Sequence, residues 1–466
     1  MSKNENIDNS IQTTAETSIS RRMWAILIVF GLFGQIAWAV ENMYFNLFVY
    51  DTISPTTSAI NIMVTASGIV ATIATLFAGA LSDKLGNRRK FISFGYIIWG
   101  MIVVCFAFIS NDNTAKIFGL TDLNVIVAAT IAIVVVMDCI MTFFGSTAND
   151  AAFNAWVTDN TDKTNRGRVE GVLSTLPLIS LLIVAGGFGF IVDSLGYPYL
   201  FGILGAIISV CGVFGIFFVK DAPKLEREEG SYFKNIFYGF RPSIIKQNKM
   251  LYVILSAMCI YSIACNVFMP FFIVYMEQYL GFTTLEYSAV LGGVILSAAV
   301  CTIFLGKLSD KVGKIKMLYI VAAVFIVGLF VLFLISDLPK NALLAFTAIV
   351  GFVMILGYIM LMVLLNALVR DHTPEREAGK LQGIRMIFYV LIPMVVGPNI
   401  GEAINKAAAV SNPARFTYQA ELTEGVFQTA NVPTPTLFLV AACIAVLMIV
   451  PLIYITKNLN KQEKVL

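Results

Sequence analysis

Apolar runs of some twenty residues recur along the chain, separated by short polar stretches. A helix crossing the hydrocarbon core of a bilayer needs about 20 mostly apolar residues. By that measure the first half holds six spans, at 24–49, 58–80, 91–110, 123–153, 169–193 and 199–219. The second half holds six more, at 251–279, 287–306, 317–335, 343–368, 381–403 and 437–456. The pattern predicts an all-α membrane protein of twelve transmembrane helices. It divides into a tail (1–22), a six-helix bundle (23–219), a charged linker (220–250), a second six-helix bundle (251–456) and a closing tail (457–466). The opening segment MSKNENIDNSIQTTAETSISRR has no short apolar core after a basic start, so it reads as a disordered cytoplasmic tail and not a cleaved signal.

The halves repeat. GALSDKLGNRRKF (79–91) recurs as GKLSDKVGKIKML (306–318), and NAWVTDNTDKTNRGRVEG (154–171) recurs as NALVRDHTPEREAGKLQG (366–383). The second match pairs Asn154 with Asn366, Asp159 with Asp371 and Thr161 with Thr373 without a gap. Two matches at corresponding places predict a duplicated six-helix unit, whose halves would enclose a binding site near the bilayer midplane.

Composition agrees, with 58% hydrophobic and only 13% charged residues, against about 25% charged in soluble domains. Placing both termini in the cytoplasm puts 28 of the 32 Lys and Arg on the inner side; only Lys116, Lys340, Lys406 and Arg415 fall outside. That asymmetry predicts the orientation, and with it a multi-pass protein of the inner (cytoplasmic) membrane. The seven cysteines all lie in apolar runs and His372 is the single histidine, so neither a disulfide framework nor a histidine metal site is expected. No Gly-Lys-Ser/Thr phosphate loop and no nucleophile–base pair is readable, so neither ATP-driven transport nor enzymatic activity is expected. No cofactor and no nucleic-acid partner is implied.

With these residues in place the chain resembles the major facilitator superfamily over essentially its whole length. GALSDKLGNRRK is similar to that superfamily's signature between helices 2 and 3, with Gly79, Leu81, Asp83, Lys84, Gly86 and Arg89 at matching positions. The resemblance implies a gate: Gly86 permits a tight turn, and Asp83 with Arg89, together with Asp310 and Lys314 in the repeat, would latch the inner side in one conformation only. NDAAFNAWVTDNT resembles the end of helix 4 in the glycoside–pentoside–hexuronide cation symporters, with Asp150, Phe153 and Thr161 matching and the basic Arg166 and Arg168 following; these two arginines, with Gly79, are expected to belong to the same inner gate. GQIAWAVENMYF is similar to sucrose–proton symporters, with Glu41 and Tyr44 matching. The paired helix 2 acids of melibiose permease would fall at Ala71 and Thr75, and its helix 1 acid near Ile36; this departure from the family's sodium-site pattern makes H+ the expected coupled ion over Na+.

Acids inside spans are few, and each is expensive, at about 2.5–3.5 kcal/mol for a central Asp. Glu41 and Asp138 stand in the outer halves of spans 1 and 4, and Asp150 in the inner half of span 4. Steps of three and four put Gln35, Trp38, Glu41, Asn42, Phe45 and Asn46 on one face of span 1, and Asp138, Thr142, Ser146, Asn149 and Asp150 on one face of span 4. A carboxylate on such a face can take a proton from one side and release it to the other. Asp150 has no counterpart in the repeat, where Met362 stands. In span 7, Tyr261 and Asn266 are expected to complete the cavity, and Pro270 to kink the helix; GPNIG (397–401) in span 11 is expected to break or bend it. Arg385 is expected to reach for the interface.

The expectation is therefore a monomeric secondary transporter that takes up a sugar or glycoside by alternating access, coupled to H+ or Na+ and with the proton preferred. Glu41, Asp150 and Asp138 would serve the cation, and Trp38, Asn42, Asn46, Asn149, Tyr261 and Asn266 the substrate. Two other readings stay open: a proton-coupled exporter or antiporter of amphipathic or lipidic compounds, and a membrane sensor that transports nothing.

Overall fold

The computed structural model describes residues 19–161, 165–221, 238–335, 338–374, 378–423 and 426–463. Twelve helices are long and apolar enough to cross a membrane. They are α1 (Arg21–Ile53), α2 (Thr57–Leu85), α3 (Arg88–Phe106), α4 (Leu123–Asp159), α5 (Arg168–Leu195) and α6 (Tyr197–Phe218), then α7 (Lys249–Tyr279), α8 (Thr284–Val312), α9 (Lys314–Ile335), α10 (Ala342–His372), α11 (Gly383–Ser411) and α12 (Thr436–Asn458). An even number of spans places the start of α1 and the end of α12 on one side, here called the terminal face; the opposite side is the far face. Most packing stays within α1–α6 or within α7–α12; between these sets, α2 packs on α11 and α5 on α8.

Several ends differ from the hydrophobic runs. α4 continues to Asp159 and α10 to His372, so polar residues past the apolar stretch remain helical. A threonine hydroxyl ties the last turn of each to its own backbone, Thr161 at the end of α4 and Thr373 at the end of α10. α7 passes through a 3₁₀ turn at Met269–Phe271, where Pro270 removes a backbone donor. α11 is not broken at GPNIG: the helix runs unbroken from Ile392 to Ser411 with Pro398 inside it. Its Gly397 and Gly401 lie against the α7 backbone at Asn266 and Val267, where any side chain would collide, so these glycines serve close packing.

The duplication is visible bond by bond. Asn154 Nδ2 donates to the Asp150 carbonyl at 3.0 Å, and Asn366 Nδ2 to the Met362 carbonyl at 2.8 Å. Thr161 Oγ1 donates to the Val157 carbonyl and Thr373 Oγ1 to that of Val369. Ser82 and Ser309 cap the carbonyls of Gly79 and Gly306, each at 2.7 Å. On the far face the chain between α11 and α12 forms an antiparallel hairpin, β1 (Thr417–Thr423) and β2 (Val426–Asn431), which the all-helical pattern did not predict. It is tied to α1 by Tyr50, whose hydroxyl donates to the Asn431 carbonyl at 2.9 Å.

Candidate functional site

A polar cluster lies at mid-span between α1, α2 and α4. Ser67 stands ten residues into α2, about 15 Å along the helix axis and thus near the middle of a 30 Å core. Its Oγ donates to Glu41 Oε1 at 3.0 Å and lies 2.8 Å from Thr142 Oγ1, which reaches the same carboxyl oxygen at 3.2 Å. Asp138, one turn before Thr142 on α4, neighbours both Ser67 and Glu41. Glu41 is 8% exposed and Asp138 1%. One oxygen of each acid, Glu41 Oε2 and Asp138 Oδ1, is buried with no hydrogen-bond partner. Among the described residues neither acid is in an ion pair. Two carboxyls without a cation, each with an unfilled acceptor, form an arrangement that one added proton or cation would complete.

Asp150 belongs to a second cluster nearer the terminal face. It lies in a π-helical stretch of α4, Ser146–Phe153; such stretches re-aim side chains and recur at functional sites. Asn149 Nδ2 donates to Asp150 Oδ1 at 3.3 Å, while Tyr96 of α3 donates to Asn149 Oδ1 at 2.9 Å. Trp38 Nε1 and Ser146 Oγ, both buried and without a partner at hydrogen-bond distance, lie beside the same carboxyl. The Trp38 ring sits 5.0 Å from that of Trp99, with both rings over Gly145. Any side chain at Gly145 would strike both rings, which is why this position in α4 needs glycine.

The remaining predicted substrate residues are spread out. Asn42 is exposed and donates to the Trp38 carbonyl at 2.7 Å; Asn46 is buried and donates to the Asn42 carbonyl at 2.8 Å, leaving its own Oδ1 unfilled. In the second half Tyr261 donates to the Tyr358 carbonyl at 2.9 Å, and Asn266 to that of Ser262 at 2.9 Å, under the α11 crossing. Arg385 does not reach outward: its Nη2 donates to Asn366 Oδ1 of α10 at 2.7 Å.

Of the predicted gate, the side chains of Asp83, Asp310 and Arg166 lie outside the described residues. Gly86 takes the left-handed conformation, φ 61°, that closes α2 in a tight turn. Arg89 engages the Ile216 carbonyl and, through its backbone N–H, Asp221 Oδ1 at 2.9 Å. Gly79 faces Ala151 of α4, and Arg168 covers the Trp24 ring at 5.6 Å. Lys314 pairs with Asp371 at 2.5 Å, and in the first half the neighbouring Arg88, not singled out in the sequence, pairs with Asp159 at 3.0 Å. The paired repeat acids Asp159 and Asp371 were the available signal for both bridges.

Sequence reasoning also missed the bonds that join the two sets of helices. On the far face Ser58 of α2 donates to Glu402 Oε1 of α11, and Asn61 donates to Asn399 Oδ1 at 3.1 Å. Glu402 is 4% exposed and also meets Lys406 at 3.2 Å. On the terminal face Arg370 of α10 pairs with Glu170 of α5 at 2.6 Å, both substantially exposed.

The profile of the Major Facilitator Superfamily matches residues 23–398. Among curated proteins the chain is similar to sugar efflux transporter B of Salmonella typhimurium (strain LT2), 28% identical over 221 residues. That match takes in 46% of this chain and spans about half (51%) of the relative's length. Among solved structures, a bacterial homolog of the human lysosomal transporter Spinster, inward-facing and occupied, aligns with TM-score 0.60 at 14% identity, over 95% of this chain and 98% of that one. The nucleoside transporter NupG aligns with TM-score 0.65 at 9% identity, over 92% and 99%. Twelve spans, a duplicated half and a profile match over most of the length agree: the chain belongs to the Major Facilitator Superfamily, a multi-pass membrane transporter and not an enzyme.

Proposed function

We propose that the protein carries a sugar or glycoside across the cytoplasmic membrane in exchange for, or together with, protons, working as a monomer with both termini inside. The single observation that carries the ion-coupled reading is the Glu41–Asp138 pair, two buried acids on adjacent helices with an unfilled oxygen each and no ion-pair partner among the described residues. Two like charges at close range in an apolar surrounding repel strongly, so a proton entering the pair relieves both the repulsion and the missing donor. Ser67 and Thr142 hold Glu41 in place from α2 and α4. Asp150, Asn149 and Trp38 form the adjoining polar and aromatic surface on which a hydroxylated solute is held: carboxyl and amide exchange hydrogen bonds with hydroxyls, and an indole ring covers a sugar's C–H face. Rocking of residues 23–219 against 251–456 would then expose the site alternately. The far-face bonds of Ser58 and Asn61 to α11 would hold one state, and the Arg370–Glu170 pair the other.

The direction of transport has a second reading. Uptake by symport follows from the resemblance to sugar symporters; export by antiport is favoured by the name of the Salmonella relative. The sign of the proton movement separates them. Sugar added to de-energised cells should alkalinise the medium under symport and acidify it under antiport. No pH change with any sugar, alongside proton-driven efflux of amphipathic dyes, would remove the sugar reading. Asp138→Asn should keep sugar counterflow while losing proton-driven accumulation; full accumulation by that variant would clear the pair of any coupling role.

A further inference from the structure

A groove of about 690 Å³ opens between α2, α3 and α4 on the bilayer side of the first six helices. It exists because α2 and α3, though joined by the tight turn at Gly86, each pack mainly on other helices, α2 on α4 and α11 and α3 on α6. Its walls are apolar and exposed, with Phe77 45%, Phe94 53% and Phe143 43% accessible. Two features are not apolar. Lys84, in the last turn of α2, and Lys90, in the first turn of α3, stand at the terminal-face end, exposed and in no ion pair with a described residue. Their neighbours Arg88 and Arg89 are already engaged by Asp159 and by the Ile216 carbonyl. Deeper in, Thr147 lines the groove with a hydroxyl that is buried and without a partner.

Depth identifies the occupant's source. Ile98, also in the lining, stands eight residues beyond Lys90, about 12 Å along the helix. That is roughly the thickness of one leaflet's hydrocarbon, with both lysines at the level of the headgroups. We propose that this groove is a binding site for an anionic phospholipid of the terminal-face leaflet. Lys84 and Lys90 take the phosphate, the phenylalanines take an acyl chain, and the Thr147 hydroxyl donates to an ester carbonyl. Basic pockets between transmembrane helices are suited to such headgroups. Thr147 belongs to the same π-helical stretch as Asn149 and Asp150, so the lipid would press on the segment that carries the second cluster.

The test uses the full-length protein in nanodiscs of phosphatidylcholine with or without phosphatidylglycerol, followed by native mass spectrometry. One phosphatidylglycerol should survive activation that strips phosphatidylcholine. Lys84→Gln and Lys90→Gln should each weaken its retention about fivefold, whereas Lys311→Gln, on the equivalent turn of the second half, should change nothing. A phosphatidylglycerol carrying a photoreactive acyl chain should crosslink to residues 94–98 and 143–147. Inorganic phosphate alone should not protect the protein from heat. Equal retention of both lipids, equal loss in Lys311→Gln, or crosslinks elsewhere would overturn the site.

Discussion

Arg88 and Lys314 make matching contacts in the two halves, yet their surroundings assign them different energies. Arg88 and Asp159 are 6% and 25% exposed at the side chain, and Arg88 also donates to Ser82 Oγ. Lys314 and Asp371 are 40% and 45% exposed. Water screens the second pair, which should contribute under about 1 kcal/mol. Removing Arg88 strands a partly buried carboxylate and should cost about 1–3 kcal/mol. Thermal unfolding in detergent should therefore show a clear fall in Tm for Arg88→Ala and little change for Lys314→Ala; equal effects would mean that burial does not set the difference. Ser67→Ala is a second case. It takes one of two hydroxyl donors from Glu41 Oε1 at mid-membrane, and loss of a buried hydrogen bond there should cost about 1–3 kcal/mol. The same variant should alter the pH profile of transport, which a purely structural serine would leave unmoved.

Close approach of helices rests on particular glycines. Gly100 of α3 and Gly205 of α6 face each other so closely that a Cβ at either would stand 2.4 Å from the other's carbonyl oxygen. Gly202, on the same α6, has nothing within 4 Å of a built Cβ. Gly100→Leu should separate α3 from α6 and lower the yield of folded protein, since overpacking costs about 1–3 kcal/mol or more. Gly202→Ala should be neutral or slightly stabilising, because alanine is the better helix former. A fluorescence size-exclusion profile of each variant decides between them. Elements also explain why Asp150 is no early loop residue: α4 continues helically for nine residues beyond it, through the π stretch, to Asp159.

At the scale of the whole molecule, the two sets of helices meet through polar contacts at both ends. Far-face bonds run from Ser58 and Asn61 to Glu402 and Asn399, and from Tyr50 to the hairpin backbone. The terminal face has the exposed Arg370–Glu170 pair. If these contacts hold opposite states, Glu170→Arg should loosen the terminal face and Ser58→Ala the far face. An exposed pair is worth about 0.2–1 kcal/mol, so populations should move by up to about fivefold. Labelling rates of a cysteine placed at Asn42 report the shift. The double swap Glu170→Arg with Arg370→Glu should restore the original rate; failure to restore it would show that the pair does not act as a latch.

The count of spans, the family and the duplication were legible in the chain itself. Hydrophobic runs of membrane length admit one solution in a bilayer, where every backbone group must be paired within its own helix. The repeat marked Asp159 and Asp371 as equivalents, and Gly86 as a turn, because those roles are set by local sequence. Glu41, Asp138 and Asp150 were legible as rare acids in apolar surroundings. Their grouping was not: Glu41 and Asp138 share a cluster through Ser67 of α2, while Asp150 joins Asn149, Tyr96 and Trp38 instead. The Ser58–Glu402 bond spans 344 residues and the Arg370–Glu170 bond 200. Helical periodicity states which residues share a face of one helix, and carries no information about which face of another helix it meets. That choice is made by packing over the whole bundle, and so only the tertiary structure decided which acids stand together and which contacts join the two sets of helices.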